Sequence, residues 1–270
     1  MSTATDAAPK VTGSADTMKH IATYAEFGTV EPAALLPGAP HMPHLDVEPI
    51  TFERAEMIQV FAEIKMGTLE GLLPQALAPT NPSFVSWRGL HLPQTPWGPV
   101  TFAETRLVCR AGFRPRVFGV GAYIDNADAA AAFAAGWGFR CTVVDGVKLR
   151  RYHDQTQLEV TVDGTTVLSI RMIEPVPTNG ASFGLNANVN FAVLPDGPKL
   201  VQAGADYVFH RADLGRPRID AFEPSAWGLG GVRPTYPVSA VAGQADITFR
   251  EIKFVSDPVE PALRGTTKIR

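Results

Sequence analysis

The chain has 270 residues and a net charge of −3, with 45% hydrophobic and 19% charged residues. This balance excludes extensive disorder, and the near-neutral charge excludes a whole-chain positive field that would attract nucleic acid or an anionic membrane. The length is sufficient for a self-supporting core.

Two cysteines, Cys109 and Cys141, are too few for a disulfide framework and form no CxxC pair. Asp6 and Lys10 interrupt the apolar run that a secretory signal needs. The longest run of apolar residues and glycine, 129–139, falls well short of the ~20 residues that span a bilayer. We therefore expect a cytoplasmic protein.

The N-terminal region 1–46 is predicted to be a tail, a short helix over 17–27 and an extended connector. Prolines at 32, 37, 40 and 43 prevent regular structure in that connector. No composition break divides the rest of the chain, so we expect one domain over 47–257 and a C-terminal tail over 258–270.

Most segments of this domain are short, β-rich and separated by Gly or Pro. This pattern favours an α+β fold, mostly an antiparallel barrel-like sheet with a few peripheral helices, over alternating βαβ units. The predicted strands cover residues 57–64, 84–92, 100–110, 117–124, 205–210, 237–241 and 245–255.

Two Asp-Gly pairs predict tight hairpins, because this dipeptide accepts the positive φ angles of a two-residue type I′ turn. Asp163-Gly164 lies between the apolar-alternating segments 158–162 and 165–170. Asp145-Gly146 repeats the pattern. The sequence therefore predicts a β-hairpin at each pair.

An alanine-rich segment predicts one helix, over 127–135. Asp125 or Asn126 is the candidate N-cap, and Gly136 is the candidate stop.

Common cofactor and hydrolase motifs are absent from the sequence: it contains no GxGxxG, GxxxxGK[ST], HExxH or GxSxG. His41 and His44 form HxxH, but they lie in the proline-rich connector, which cannot place both on one helical face. We expect neither a metal nor an organic cofactor.

A central stretch resembles the acetoacetate decarboxylase family. Tyr123-Ile-Asp-Asn126, the alanine-rich helix and 137–142 are similar to that family's Tyr-x-Asp-Asn opening, short helix and Gly-Tyr/Phe-Pro-Lys-Lys turn. Pro96-Trp-Gly-Pro99 with Glu104 resembles its Trp-Gly-Pro-Tyr-x-Glu strand. The resemblance extends over about 48–255.

The resemblance implies an antiparallel cone, usually in a homo-oligomer, around a small cavity for a β-keto acid. In that family a lysine with a lowered pKa attacks the ketone, and the resulting Schiff base accepts the electrons released with carbon dioxide.

This sequence departs from the family at the reactive amine. Counted without gaps from Asn126, the Pro-Lys-Lys of the family falls on residues 140–142, so Cys141 stands at the lysine position. Lys148 is the nearest lysine and is expected at the surface. The family's arginine falls on Ala55, and the adjacent Arg54 replaces it only if the strand register slips by one.

Three hypotheses remain, and a small carbonyl or keto-acid substrate is the favoured ligand. Glu104 acts as general acid or base for a lysine-independent lyase, isomerase or hydratase, with Arg140 holding a carboxylate. Alternatively, Cys141 is a nucleophile beside Arg140, although a buried, inert thiol is the favoured interpretation of this cysteine. In the third hypothesis the barrel binds a small apolar ligand without turnover, and the lining aromatic residues are Trp97, Trp137 and Phe139.

Overall fold

The computed structural model describes residues 27–269, in which strands predominate. Its three α-helices in that range are α1 (Pro32–Leu35), α2 (Ala127–Trp137) and α3 (Ala262–Gly265). Short 3-10 turns cover Leu69–Gly71, Gly180–Phe183 and Pro224–Trp227. The strands within the same range are β1 (Ile50–Ile64), β2 (Ala78–Pro79), β3 (Phe84–Leu92), β4 (Val100–Ala111), β5 (Arg114–Ile124), β6 (Cys141–Val143), β7 (Gly146–Arg151), β8 (Gln155–Val162), β9 (Thr165–Pro177), β10 (Asn188–Leu194), β11 (Gly197–Ala203), β12 (Ala205–Phe222), β13 (Pro234–Phe249), β14 (Phe254–Ser256) and β15 (Thr266–Lys268).

These strands form one sheet in the order β15-β14-β11-β10-β5-β4-β3-β1-β13-β12-β9-β8-β7, with β2 on β4 and β6 on β5. Pairing is antiparallel except where β5 meets β6 and β10. The strand-rich α+β prediction is confirmed. A closed barrel is not, because β15 and β7 end the order without pairing to each other within 27–269.

The central strands β1, β3, β4 and β5 are covered on both sides. We call one side the helix face, because α2 packs there through Phe133 and Trp137 against Phe52 and Phe102. The other is the hairpin face, covered by apolar residues of β7, β8 and β9. This double burial explains why β4 is almost continuously buried along its length.

One of the two predicted hairpins is confirmed. Asp163 and Gly164 both have positive φ, +48° and +77°, and join β8 to β9. The hairpin at Asp145-Gly146 is wrong, because β6 pairs with β5 and β7 pairs with β8. Glycine is required at 146 for a different reason: a Cβ there would lie 2.1 Å from the carbonyl oxygen of Thr161.

The predicted helix is confirmed, with a later end. Asn126 is the N-cap, and its side chain accepts a hydrogen bond from the Ala129 N–H. The helix continues through Gly136 and ends at Gly138, which adopts the left-handed conformation at φ +69°.

The segments flanking the predicted domain carry ordered contacts of their own. The helix predicted over 17–27 lies outside the described residues except for Phe27. In the connector, Met42 is buried and His41 forms a parallel bridge with Val193. At the other end, β15 pairs with β14. No helix within 27–269 has the length and apolar character needed to cross a membrane.

Phe133 occupies the centre of the aromatic cluster on the helix face. Its ring centroid lies 5.4 Å from that of Phe249 and 5.7 Å from that of Phe102. We expect Phe133→Ala to lower the free energy of unfolding by about 3–5 kcal/mol, because it removes buried ring contacts and leaves a cavity. Urea unfolding measures this loss.

The exposed Phe113 provides the matched control. Phe113→Ala is expected to change the free energy of unfolding by less than about 0.5 kcal/mol. Equal losses for the two variants would contradict the central role of Phe133.

Candidate functional site

A row of polar side chains crosses the middle of the helix face. Gln59 on β1 lies opposite Arg88 on β3, and Arg88 lies opposite Glu104 on β4. Directly opposed residues of antiparallel strands point to the same face, so the three side chains converge. Phe102, two residues before Glu104, belongs to the aromatic cluster. The helix face therefore changes from aromatic to polar within two residues of β4.

Glu104 and Arg88 form a buried ion pair. Arg88 Nε lies 2.5 Å from Glu104 Oε1, and their side chains are 4% and 1% exposed. The second carboxylate oxygen, Oε2, accepts a hydrogen bond of 2.8 Å from Asn188 Nδ2 on β10. Both carboxylate oxygens of Glu104 are therefore held by neighbouring strands.

A second guanidinium, that of Arg106, lies behind this pair. Its Nη1 is 3.6 Å from Glu104 Oε1, and its Nη2 donates to Gln59 Oε1 at 2.7 Å and to Ser86 Oγ at 2.9 Å. Gln59 Nε2 in turn donates to the Phe183 carbonyl oxygen at 2.7 Å. These bonds fix the orientation of Gln59 and of the Arg106 guanidinium.

The buried cluster of Arg88, Arg106 and Glu104 contains two cations and one anion. Burial lowers the pKa of Arg106 to about 10, with the positive charge of Arg88 adding to the effect and Glu104 opposing it. Burial also lowers the pKa of Arg88, but the charge of Glu104 and the hydrogen bonds to Glu104 and Tyr207 outweigh it and leave the pKa raised. Both guanidiniums are thus protonated at neutral pH, and the cluster has an excess positive charge.

Arg88 reaches a cavity of about 290 Å³, whose wall also contains Asn188 and Tyr207. Arg88 Nη1 donates to the Tyr207 hydroxyl at 2.8 Å. Among the described residues, the hydroxyl proton of Tyr207 has no acceptor. Glu104 does not line this cavity, so it contacts Arg88 and Asn188 from behind the wall. The cavity wall therefore presents a guanidinium and a phenol as adjacent hydrogen-bond donors.

Cys141 lies near the polar row but has the character of an unreactive thiol. Its strand partner is Ala122, which is itself paired with Glu104. Burial, together with the negative charge of Glu104, raises the pKa of the Cys141 thiol to about 12. The thiol is therefore protonated near neutral pH, which disfavours nucleophilic attack by sulfur.

Arg140 lies apart from Glu104. Its Nη2 donates to the Leu35 carbonyl oxygen, and it lines a separate cavity of about 320 Å³ with Phe118 and Trp227, which belong to the hairpin-face core. Cys141 packs on the helix face and Arg140 lines the cavity on the hairpin face, so the two side chains do not share one site.

The remaining residues proposed from the sequence also lie away from the 290 Å³ cavity. Arg54 is exposed at a β-bulge of β1, with φ +54°, and its backbone N–H donates to Asp246. Ala55, at the family's arginine position, is buried and uncharged. The three proposed lining aromatics instead pack into the core of the helix face: Trp97, Trp137 and Phe139.

None of the five lysines within 27–269 is buried. Lys148 is exposed on β7, next to Val147, which points into the hairpin-face core. The cavity wall contains no lysine among these residues. Likewise, no group of three His, Cys, Asp or Glu side chains in this part of the chain is placed to hold a metal ion.

Three residues of the site are not predicted from the sequence: Arg88, Asn188 and Tyr207. A signal for the first two was present: Ser86 and Arg88 alternate with apolar residues in β3, and Asn188 and Asn190 do so in β10. Polar side chains at period two in a strand covered on both faces must find partners inside the protein.

The fold is similar to solved acetoacetate decarboxylase structures. The enzyme from Legionella pneumophila superposes with a TM-score of 0.67 at 17% sequence identity, covering 93% of this chain and 98% of that one. A second acetoacetate decarboxylase gives a TM-score of 0.65 at 18% identity, covering 83% of this chain and 93% of that one.

The enduracididine biosynthesis enzyme MppR, solved with pyruvate, gives a TM-score of 0.64 at 15% identity, covering 76% of this chain and 90% of that one. No protein-family model matches the sequence. No curated protein matches it either. The chain thus has the acetoacetate decarboxylase-like fold, and the resemblance seen in the sequence is confirmed at the level of the fold.

Glu104→Gln tests the charge balance of the cluster. We expect it to lower the free energy of unfolding by about 3–5 kcal/mol, because it leaves two buried guanidiniums without their carboxylate. Urea denaturation measures the loss, and Glu53→Gln at an exposed position of β1 is the matched control. A loss for Glu104→Gln no larger than that of the control would contradict the ion-pair assignment.

Alkylation tests the state of Cys141. A pKa of about 12 in place of 9.0 leaves about a thousandfold less thiolate at neutral pH. We expect iodoacetamide to modify Cys141 correspondingly slowly, with a rate that rises with pH up to about 12. Peptide mass spectrometry separates this site from Cys109. Modification at neutral pH as fast as that of a free cysteine would contradict the assignment.

Proposed function

We propose that this acetoacetate decarboxylase-like protein binds a small β-keto acid in the 290 Å³ cavity and decarboxylates it without forming an imine. The observation that carries the proposal is the Arg88 guanidinium, fixed between Glu104 and Tyr207 at the cavity wall. The volume lies near the lower end of the ~300–1,000 Å³ typical of ligand pockets, which favours a small substrate.

Arg88 and Tyr207 form a donor pair that suits a developing oxyanion. Arg88 is held by Glu104 and donates to the Tyr207 oxygen, which leaves the phenol proton to point to a ligand. Donors that are already oriented before the reaction stabilise negative charge without the cost of reorganising. A ketone oxygen placed against this pair gains stabilisation as it becomes an enolate.

In the proposed reaction the bond between the α-carbon and the carboxylate carbon breaks, and carbon dioxide leaves. Its electron pair forms the new carbon–carbon double bond, while the ketone π electrons move to oxygen. The Tyr207 hydroxyl donates its proton to that oxygen and takes one from water afterwards. The enol product then becomes the ketone in solution.

Decarboxylation is favoured over isomerisation or hydration because it needs no base at carbon. The described residues of the cavity wall include no Asp, Glu or His. Glu104, behind the wall, is a positioning residue for Arg88 in this proposal. The lyase activity expected from the sequence is thus retained with different residues in its key roles.

The side chains argue against covalent chemistry on this chain. An imine needs an amine in the cavity, whereas all five described lysines have solvent access. A thiol adduct needs a thiolate, whereas the pKa of Cys141 is raised to about 12. The pyruvate in the MppR structure is an α-keto acid, so it supports the binding of a small carbonyl acid by this fold and not the decarboxylation step itself.

A non-catalytic site for an apolar ligand fits these observations less well. The cavity wall contains three arginines, Arg88, Arg116 and Arg250, together with Asn188 and Tyr207. Of the aromatic cluster on the helix face, Phe249 lines the cavity, whereas the proposed lining residues Trp97, Trp137 and Phe139 pack in the core.

Tyr207→Phe tests the proposal, because it keeps the ring and removes the proton donor. With acetoacetate and related β-keto acids as substrates, we expect kcat to fall by about 10²- to 10⁴-fold while KM and the melting temperature change little. Carbon dioxide release measures the rate, and Tyr236→Phe at an exposed position is the matched control.

Borohydride trapping with the same substrates, followed by intact mass measurement, is expected to give no adduct. A lysine adduct would overturn the imine-free mechanism. Turnover by Tyr207→Phe at the wild-type rate would remove Tyr207 from it. If keto acids raise the melting temperature but none is turned over, the protein binds them without catalysis. That result would overturn the decarboxylase proposal.

A further inference from the structure

We infer that the cavity of about 320 Å³ beside Arg140 is a second binding site, which takes a small apolar monocarboxylate such as a short-chain fatty acid. No step of the proposed decarboxylation uses this cavity. The inference therefore goes beyond the proposed function and can be tested separately from it.

The 320 Å³ cavity is distinct from the 290 Å³ cavity. The two share no lining residue. Strand β10 contributes Asn188 to the 290 Å³ cavity and Phe191 to the 320 Å³ cavity, and residues an odd number apart in a strand point to opposite faces. A ligand beside Arg140 therefore meets none of the side chains that the decarboxylation uses.

The side chains of the 320 Å³ cavity wall are apolar apart from Arg140. The apolar ones include Leu35, Leu72, Phe118, Phe191, Trp227 and Leu229. Four glycines complete the wall, so its remaining polar surface is backbone. Burial of an apolar ligand surface against these side chains is favourable. The volume lies near the lower end of the range typical of ligand pockets, which favours a small ligand.

The Arg140 guanidinium lies at the wall of this cavity. Its Nη2 donates to the carbonyl oxygen of Leu35, and Leu35 and Arg140 both line the cavity. That bond uses one of the five N–H donors of the guanidinium. Within residues 27–269 the Arg140 side chain has no other hydrogen-bond acceptor. The group therefore has donors to spare for a ligand.

Arg140 is a half-buried cation with no acid beside it in the described part of the chain. Burial lowers its pKa, and no acidic side chain opposes this effect. Arg211, by contrast, is part-buried and forms ion pairs with Glu56 and Asp213. Burial of a cation is costly unless an anion compensates it, and the flat fork of an arginine matches a carboxylate. The position therefore favours a carboxylate from outside.

The charge of the wall limits the ligand to one acid group. Arg140 is the only charged side chain among the described residues that line the cavity. A second carboxylate would lose water against apolar side chains without gaining a cation, which is unfavourable. A monocarboxylate with an apolar chain matches both parts of the wall, with its acid at Arg140 and its chain against residues such as Phe118 and Trp227.

Two comparisons by isothermal titration calorimetry on the full chain test this inference. Hexanoate against 1-hexanol measures the contribution of the charge, and hexanoate against acetate measures that of the apolar chain. We expect hexanoate to bind at least about tenfold more tightly than either, because a charge-assisted hydrogen bond and several buried methylene groups each imply a factor of that size. Equal affinity in either comparison, or no binding of hexanoate, would overturn the inference.

Arg140→Gln tests where hexanoate binds. We expect the preference for hexanoate over 1-hexanol to fall below about twofold in this variant. Arg150→Gln is the matched control, since it removes a positive charge from an exposed position of β7 outside the cavity wall, and it is expected to keep the wild-type preference. A preference that survives Arg140→Gln, or one that is lost in both variants, would contradict binding at Arg140.

A measurement on the unaltered chain remains decisive if Arg140→Gln does not fold. Phenylglyoxal modifies accessible arginines, and peptide mass spectrometry identifies the modified positions. We expect saturating hexanoate, but not 1-hexanol, to slow the modification of Arg140 severalfold and to leave that of Arg150 unchanged. No protection of Arg140, or equal protection of both arginines, would count against the site.

The two proposals fail separately. Turnover of a β-keto acid without hexanoate binding at Arg140 would overturn this inference and leave the proposed function. Hexanoate binding at Arg140 without turnover of any β-keto acid would support this inference and overturn the proposed function.

Discussion

The ion pair between Glu104 and Arg88 is the constraint around which the site is built. A carboxylate in the middle of a sheet covered on both faces is strongly disfavoured unless cations and hydrogen-bond donors surround it. Arg88, Arg106 and Asn188 supply these from β3, β4 and β10. Gln59 and Ser86 then accept hydrogen bonds from Nη2 of Arg106. Burial of one acid thus accounts for the chemistry of its neighbours on four strands.

This arrangement also orients the part of Arg88 that faces the cavity. Because Nε is committed to Glu104, Nη1 is left to contact Tyr207. The guanidinium is planar, so fixing one edge fixes the direction of the other.

Local features of the fold could be predicted from the sequence. The Asp163-Gly164 turn, the α2 helix and the strand over 84–92 result from turn chemistry, capping and apolar alternation, which act over a few residues. At Asp145-Gly146 the same dipeptide does not form the predicted turn, which shows the limit of such local rules. The same dipeptide meets Thr161 of a distant strand, and that close approach, rather than a turn, requires the glycine. Whether the sheet closes likewise depends on pairings between distant segments.

The site was predictable only in part for a similar reason. Glu104 belongs to a short motif, but Asn188 and Tyr207 reach its neighbourhood from strands about a hundred residues further along the chain. Arg140 and Cys141 were proposed from their spacing in the sequence, which does not show to which face of the sheet each side chain points. The structure separates them, with Arg140 beside Phe118 and Trp227 and Cys141 near Glu104.

The short parallel ladder between β5 and β10 also bears on access to the 290 Å³ cavity. Only residues 188–190 pair with 117–119 there, whereas the antiparallel ladder between β10 and β11 runs the whole length of both strands. A short ladder separates at lower cost than a long one. Arg116 and Asn188 lie on its two sides and both line the cavity. The polar pocket therefore adjoins one of the short ladders of the sheet, where separating two strands breaks few hydrogen-bonded pairs.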